Sequence, residues 1–215
     1  FEKTKNLAYL YNYGGLSDWL RRDYSSALLK YQKGEQLSKE ANDIIQLVKF
    51  NSNIALINGN IGNYKTAIKK CLNSEYLIEK NKKLYTIEQY NLNKSNVYLS
   101  LGTFYETKFE NENKKNIVLI DSALHYYKKA VLFSFENTKN KIAAQLNIAN
   151  ILLYKNRINE TEKTYQNIVT EAKENNLAHE HSIAIYNLGY FYYSQKKYPK
   201  ALVYFEKTDS IFRKN

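Results

Sequence analysis

Four asparagines, Asn53, Asn93, Asn147 and Asn187, recur at intervals of 40, 54 and 40 residues. A carboxamide donates and accepts hydrogen bonds from one planar group. Those two capacities match the C=O and N–H of an extended peptide backbone, so a row of such side chains could hold a peptide without reading its side chains. Each bond would contribute about 0.5–1.5 kcal/mol net, so useful affinity needs several. Other groups capable of chemistry are few: the chain has three histidines and one cysteine. His179-Glu180-His181 is the one cluster of ligand atoms, but residues i and i+2 of a helix point to different sides, and the two imidazoles do not converge on a metal. His125 stands beside tyrosines and reads as a surface or packed residue. Cys71 reads as a small core residue. Gly59-Asn60-Ile61-Gly62 lacks the Lys-Ser or Lys-Thr that completes a phosphate loop. No nucleophile elbow, zincin helix or kinase signature occurs. The expectation is a chain that is not an enzyme and needs no cofactor or metal.

The asparagines belong to a longer repetition. An aromatic or branched residue follows a polar turn at Tyr24, Tyr64, Phe104, Ile158 and Tyr198. Three residues later comes Ala27, Ala67, Thr107, Thr161 or Ala201, and one helical turn beyond that Tyr31, Cys71, Tyr165 or Phe205. Steps of three and four, as in Ala201, Tyr204, Phe205, Thr208, Ile211 and Phe212, mark one face of a helix. Ile185, Leu188, Gly189 and Tyr192 mark another just upstream. Pro199, the only proline, falls where a first helical turn needs no donor. The same two-helix grammar fits residues 3–40, 43–80, 83–136, 139–174 and 177–213, taken as one domain over 1–215. The long interval has its source at 105–116, an insertion between the two helices of the third pair, whose second helix starts near Ile117.

Composition agrees with an all-helical chain. Of 215 residues 44% are hydrophobic, with one proline and seven glycines, too few of both for a turn-rich β fold. Tyrosine accounts for 21 residues and offers an apolar body with a polar tip. The net charge of +11 is spread in pairs such as Lys69-Lys70 and Lys196-Lys197. That reads as a solvated surface; the sharper alternative is attraction to acidic peptides, nucleic acid or an anionic membrane. A single cysteine excludes an internal disulfide framework and leaves the compartment, cytoplasmic or periplasmic, open. No apolar run approaches the ~18 residues that span a bilayer. The chain starts at Phe1 and has no methionine, which suggests a trimmed or processed piece.

In the last pair, Tyr186-Asn187-Leu188-Gly189, Tyr192, Tyr198, Ala201 and Phe205 resemble the Leu-Gly, Tyr, Ala and aromatic positions of the tetratricopeptide repeat family. Asp23-Tyr24, Ala27, Tyr31 and Gly34 do so in the first. The resemblance covers nearly the whole chain. It departs from the family in its period of 40 rather than about 34. It departs also in its degraded Leu-Gly pairs, Ile54-Ala55, Lys94-Ser95 and Ile148-Ala149. Longer repeats of this kind look like those of bacterial tetratricopeptide regulators and the kinesin light chain. The resemblance implies an all-α, right-handed superhelix of about five antiparallel helix pairs, with the first helix of each pair on the concave face. It implies protein or peptide binding there, as the sensory or scaffolding part of a larger signalling or transcriptional regulator. Asn53, Asn93, Asn147 and Asn187 would then form a ladder; in the first repeat the equivalent place is Tyr13, with Asn12 beside it. Asparagine before the Leu-Gly pair also serves to bridge repeats, and the two readings stand together. Specificity would come from Trp19, Lys49, Asn150, Tyr186, Tyr190 and Tyr193; interrepeat packing is the alternative for Trp19 and several of the tyrosines. Two other roles stay open: nucleic-acid or acidic-surface binding, which no recognition motif supports, and self-association of the terminal repeats, to which Ile211 and Phe212 at the end of the last helix point.

Overall fold

The period of forty comes from one turn used again and again. The computed structural model describes residues 2–135 and 137–213, and the side chain of Phe212 lies outside the described side chains. Its helices are α1 (Glu2–Leu20), α2 (Tyr24–Glu40), α3 (Ile44–Asn60), α4 (Tyr64–Lys80), α5 (Ile87–Asn111), α6 (Ile117–Phe133), α7 (Thr138–Tyr154), α8 (Ile158–Glu174), α9 (Ala178–Ser194) and α10 (Tyr198–Phe212). A 3-10 turn at Lys82–Leu84 precedes α5. Among the described residues there is no β-strand, and no helix is long and apolar enough to cross a membrane.

Helices of 17 residues alternate with three-residue turns, which accounts for the interval of forty. The middle residue of each such turn has a left-handed backbone: Arg22, Asn42, Gly62, Asn156, Asn176 and Lys196. The residue after it donates its N–H to a carbonyl five positions back, as in Asp23 to Asp18, Asn63 to Asn58 and Lys197 to Tyr192, at 2.7–2.9 Å. This closes the orphan carbonyls of the finished helix in a Schellman arrangement. That same residue often opens the next helix. Asp23, Asp43 and Asn63 each accept the N–H three residues on, at 3.0, 3.1 and 3.3 Å. Thr86 and Gln89 form a reciprocal capping box at the start of α5. The third pair breaks the rhythm. α5 runs for 25 residues, so most of the segment expected as an insertion at 105–116 is an extension of its first helix, and only 112–116 turn.

The chain divides into two compact units, Phe1–Ala123 and Leu124–Asn215, with the division inside α6. In the first unit α1 packs on α2, α2 on α3, α3 on α4 and α4 on α5; α1 also touches α3, and α3 touches α5. The odd-numbered helices therefore form one wall. In the second unit α7, α8, α9 and α10 pack in sequence, and α7 touches α9. Close approach is made possible by missing side chains. A Cβ on Gly15 would lie 2.5 Å from the Tyr31 ring, and one on Gly34 would lie 2.2 Å from the Phe50 ring. Around these contacts sits a core of Ala8, Ala27, Tyr31, Phe50, Ile54 and Ile57. The second unit has its own, centred on Ile142, Leu146, Tyr165, Ile168, Leu188 and Phe191.

Charges are also drawn into the first unit. Asp18, 1% exposed, pairs with Arg21 at 2.5 Å and Lys30 at 2.6 Å. Hydrogen bonds from Lys30 and then Arg21 hold its carboxyl below the usual value. Glu35 joins α2 to α4 by accepting from Lys39 at 2.5 Å and Lys70 at 2.6 Å. Burial pushes its carboxyl up, but the two lysines together outweigh burial and leave it lowered.

Candidate functional site

The wall of odd-numbered helices in the first unit carries a groove of about 520 Å³. Each helix contributes residues one turn apart, so that their side chains share a face. From α1 come Asn12 and Leu16, and from α3 come Lys49, Ser52, Asn53 and Leu56. The α5 wall supplies Asn93, Asn96 and Ser100, above an apolar floor that includes Val48, Val97 and Leu99. Lys49 is the one charged residue among the described residues lining it. Cys71 also borders the groove, but it is buried, and burial pushes its thiol up to about 12, which leaves it protonated and unreactive at neutral pH.

Four carboxamides line the groove: Asn12, Asn53, Asn93 and Asn96. Asn53 donates from Nδ2 to Oδ1 of Asn12 at 3.0 Å, across from α3 to α1. Asn93 donates from Nδ2 to the carbonyl oxygen of Gln89 at 2.7 Å, back along its own helix. The Asn12 amide protons and the Oδ1 atoms of Asn53 and Asn93 are left uncommitted by these bonds. Side-chain amides with donors and acceptors free are what an extended peptide backbone needs. The apolar floor keeps water from competing on one side.

A smaller recess of about 180 Å³ adjoins the groove, lined by Leu16, Trp19, Tyr31, Asn53 and Leu56. Leu16, Asn53 and Leu56 border both spaces. Trp19 is 36% exposed, whereas Tyr31 is buried in the core behind it.

The remaining residues expected at a site lie in the second unit. Asn147 on α7 and Asn187 on α9 are half-buried, and neither amide makes a hydrogen bond to a described residue. Asn150 accepts a hydrogen bond from the buried Tyr165 hydroxyl. Tyr186, Tyr190 and Tyr193 are all more than half exposed along one face of α9. Tyr186 leans on Phe205 with ring centroids 5.6 Å apart, and Tyr193 leans on Tyr198 at 5.6 Å. His179 is exposed and His181 half-buried.

Within the first unit, then, Asn53, Asn93 and Lys49 come together, with Trp19 in the neighbouring recess. The repeat pattern set Asn12 only beside the ladder position and missed its contact with Asn53. Repeat alignment puts Tyr13 opposite Asn53, but Tyr13 is 67% exposed and it is Asn12 that reaches Asn53. Asn96 and Ser100 were missed as well; their spacing of three and seven residues from Asn93 was the available signal.

No family model and no curated protein matches the sequence. Solved structures do match the fold. The apo form of RapI superposes with a TM-score of 0.77 at 17% identity, over 97% of this chain and 54% of that one. The Rap conjugation gene regulator of plasmid pLS20, in complex with the Phr* peptide, superposes with a TM-score of 0.63 at 15% identity, over 96% of this chain and 53% of that one. A kinesin light chain of Podosopora anserina with nearly identical TPR-like repeats gives a TM-score of 0.73 at 10% identity, over 100% of this chain and 98% of that one. The chain thus spans about half the length of the Rap structures it matches. Its fold is a tetratricopeptide-like α-solenoid.

Proposed function

We propose that this tetratricopeptide-like α-solenoid is a peptide-binding module, and that the groove of the first unit holds the backbone of an extended peptide through Asn12, Asn53 and Asn93. The observation that carries the reading is the convergence of three amides from three successive inner helices on one groove of about 520 Å³. Two to four net hydrogen bonds of about 0.5–1.5 kcal/mol each fall short of the roughly 8 kcal/mol of micromolar binding, so burial of peptide side chains against the apolar floor must supply the rest. The likeness in fold to a regulator solved with a bound peptide supports the reading. It also supports a wider one, in which the chain is the sensory or scaffolding part of a signalling or transcriptional regulator.

A random-peptide display library selected on the immobilised chain tests the proposal. The wild-type chain is expected to enrich a peptide family that the triple variant Asn12→Ala, Asn53→Ala, Asn93→Ala does not, although the variant keeps its helical content. Equal recovery of the same peptides by both proteins contradicts it.

A further inference from the structure

Resting on that reading, we infer that the groove selects its ligand by a pair of adjacent side chains, one apolar and one acidic. Lys49, Asn53 and Leu56 follow one another along a single face of α3. Lys49 precedes Asn53 by one turn and Leu56 follows it by one, so the ends of this row are about 10 Å apart along the helix axis. Beyond Leu56 lies the recess, closed by Leu16 and Trp19 from α1 and by Tyr31 from α2. Lys49, on the other side of Asn53, is the groove's one cation among the described lining residues.

A peptide gripped by Asn12, Asn53 and Asn93 crosses the inner helices from α1 to α5. Successive side chains of an extended chain point to opposite sides. The residue whose backbone meets Asn53 therefore sends its side chain toward one end of that row, and its neighbour toward the other. One of the two enters the recess, which is apolar apart from the edge of Asn53 and has room for a single aliphatic side chain about the size of leucine. The other points at the Lys49 ammonium, where a carboxylate is favoured and a cation is repelled. Trp19, Leu16 and Leu56 are 36%, 44% and 43% exposed, so the apolar surface that the anchor would cover is open to solvent without it.

Fluorescein-labelled nonapeptides, acetylated and amidated, with a serine-alanine background around a central pair, test this directly. The pairs are Leu-Asp, Ala-Asp and Leu-Lys, each in both orders. In at least one order, Leu-Asp is expected to bind about tenfold or more tightly than Ala-Asp, since burying a leucine side chain exceeds burying a methyl by more than one such factor. Leu-Lys is expected to fall below Leu-Asp. Trp19→Ala should erase the preference for leucine over alanine and leave the aspartate preference intact. Lys49→Glu should reverse the order of Leu-Asp and Leu-Lys. Should Trp19→Ala lose its helical content, Leu56→Asn at a more exposed position makes the same test. If wild type binds these peptides in a manner that depends on Asn53 and Asn93 but ranks them alike, or if the rankings survive both substitutions, the inference is overturned while the peptide groove stands. If no peptide binds wild type at millimolar concentration, the groove reading falls and the inference with it.

Discussion

The two units share a backbone and differ in what they hang on it. Both are built from 17-residue helices joined by the same left-handed turn. In the first unit the inner helices present carboxamides and hydroxyls over an apolar floor, and charges are drawn inward at Asp18 and Glu35. Four of its helices, α2 to α5, open on a side chain that accepts a backbone N–H. In the second unit the inner helix α9 presents tyrosines, and α8, α9 and α10 open on Arg157, Leu177 and Lys197 without any side-chain cap. The difference teaches that turn geometry and the small contact residues fix the period, while the inner surface varies independently of it. The polar unit is the better locally specified of the two and holds the amide-lined groove, whereas the second unit has a more open recess of about 490 Å³ lined by Tyr186, Phe205, Thr208 and Asp209.

Acid should separate the units most strongly. Asp18, Glu35 and Glu79 all have carboxyls held below the ordinary values of 3.8 for aspartate and 4.5 for glutamate. Lowered values in the folded state mean that the unfolded chain binds more protons. The stabilisation is therefore complete above the ordinary values and is lost as the pH falls through the lower, folded ones. All three lie in the first unit, Asp18 and Glu35 with buried carboxyls and Glu79 about as exposed as Glu160 of the second unit's Arg157–Glu160 pair. Hydrogen exchange read by mass spectrometry between about pH 5 and about pH 3 should show protection lost first in α1 to α5. Simultaneous loss, or loss first in α7 to α10, breaks the contrast.

Helix caps offer a reciprocal exchange. Asp43→Ala removes the acceptor for the Gln46 N–H and should destabilise the chain by about 0.5–2 kcal/mol in denaturant unfolding. Lys197→Asp supplies an acceptor that α10 lacks and should stabilise by about 0.5–1 kcal/mol, aided by a negative charge at the helix start. Opposite signs sharpen the comparison; equal signs remove capping from it.

The smallest effect belongs to the shared turn. Lys196 and Arg22 have φ of 57° and 63°, a region that costs a side chain about 1–2 kcal/mol. Lys196→Gly and Arg22→Gly should each stabilise, by up to about 1 kcal/mol after the added flexibility of the unfolded chain is subtracted. Similar gains in both units would show that the turn is common property, as the geometry has it.

Much of this architecture was legible in the sequence because the turn is written there. The turn residues before Tyr24, Tyr64 and Tyr198 mark the left-handed residue and the start of the next helix, and Pro199 marks a first turn. The third pair was less legible. Residues 105–111 keep enough helix-forming side chains to continue α5, and nothing stops that helix before the left-handed Asn113 and Lys114. For the groove, the interval between Asn53 and Asn93 was visible, whereas Asn12 was legible only as the neighbour of Tyr13. Repeat alignment compares positions, whereas a side-chain bond depends on where two helices lean together, and α1 brings Asn12 rather than Tyr13 to Asn53.

The central claim is that the side-chain amides of the first unit grip a peptide backbone. Side-chain NH₂ resonances of the ¹⁵N-labelled chain, followed while a display-selected peptide is added, test it most directly. The Asn12, Asn53 and Asn93 amides should shift saturably and together, with the outer helices α2 and α4 unmoved. A peptide that saturates the protein while those three amides stay in place would contradict the account.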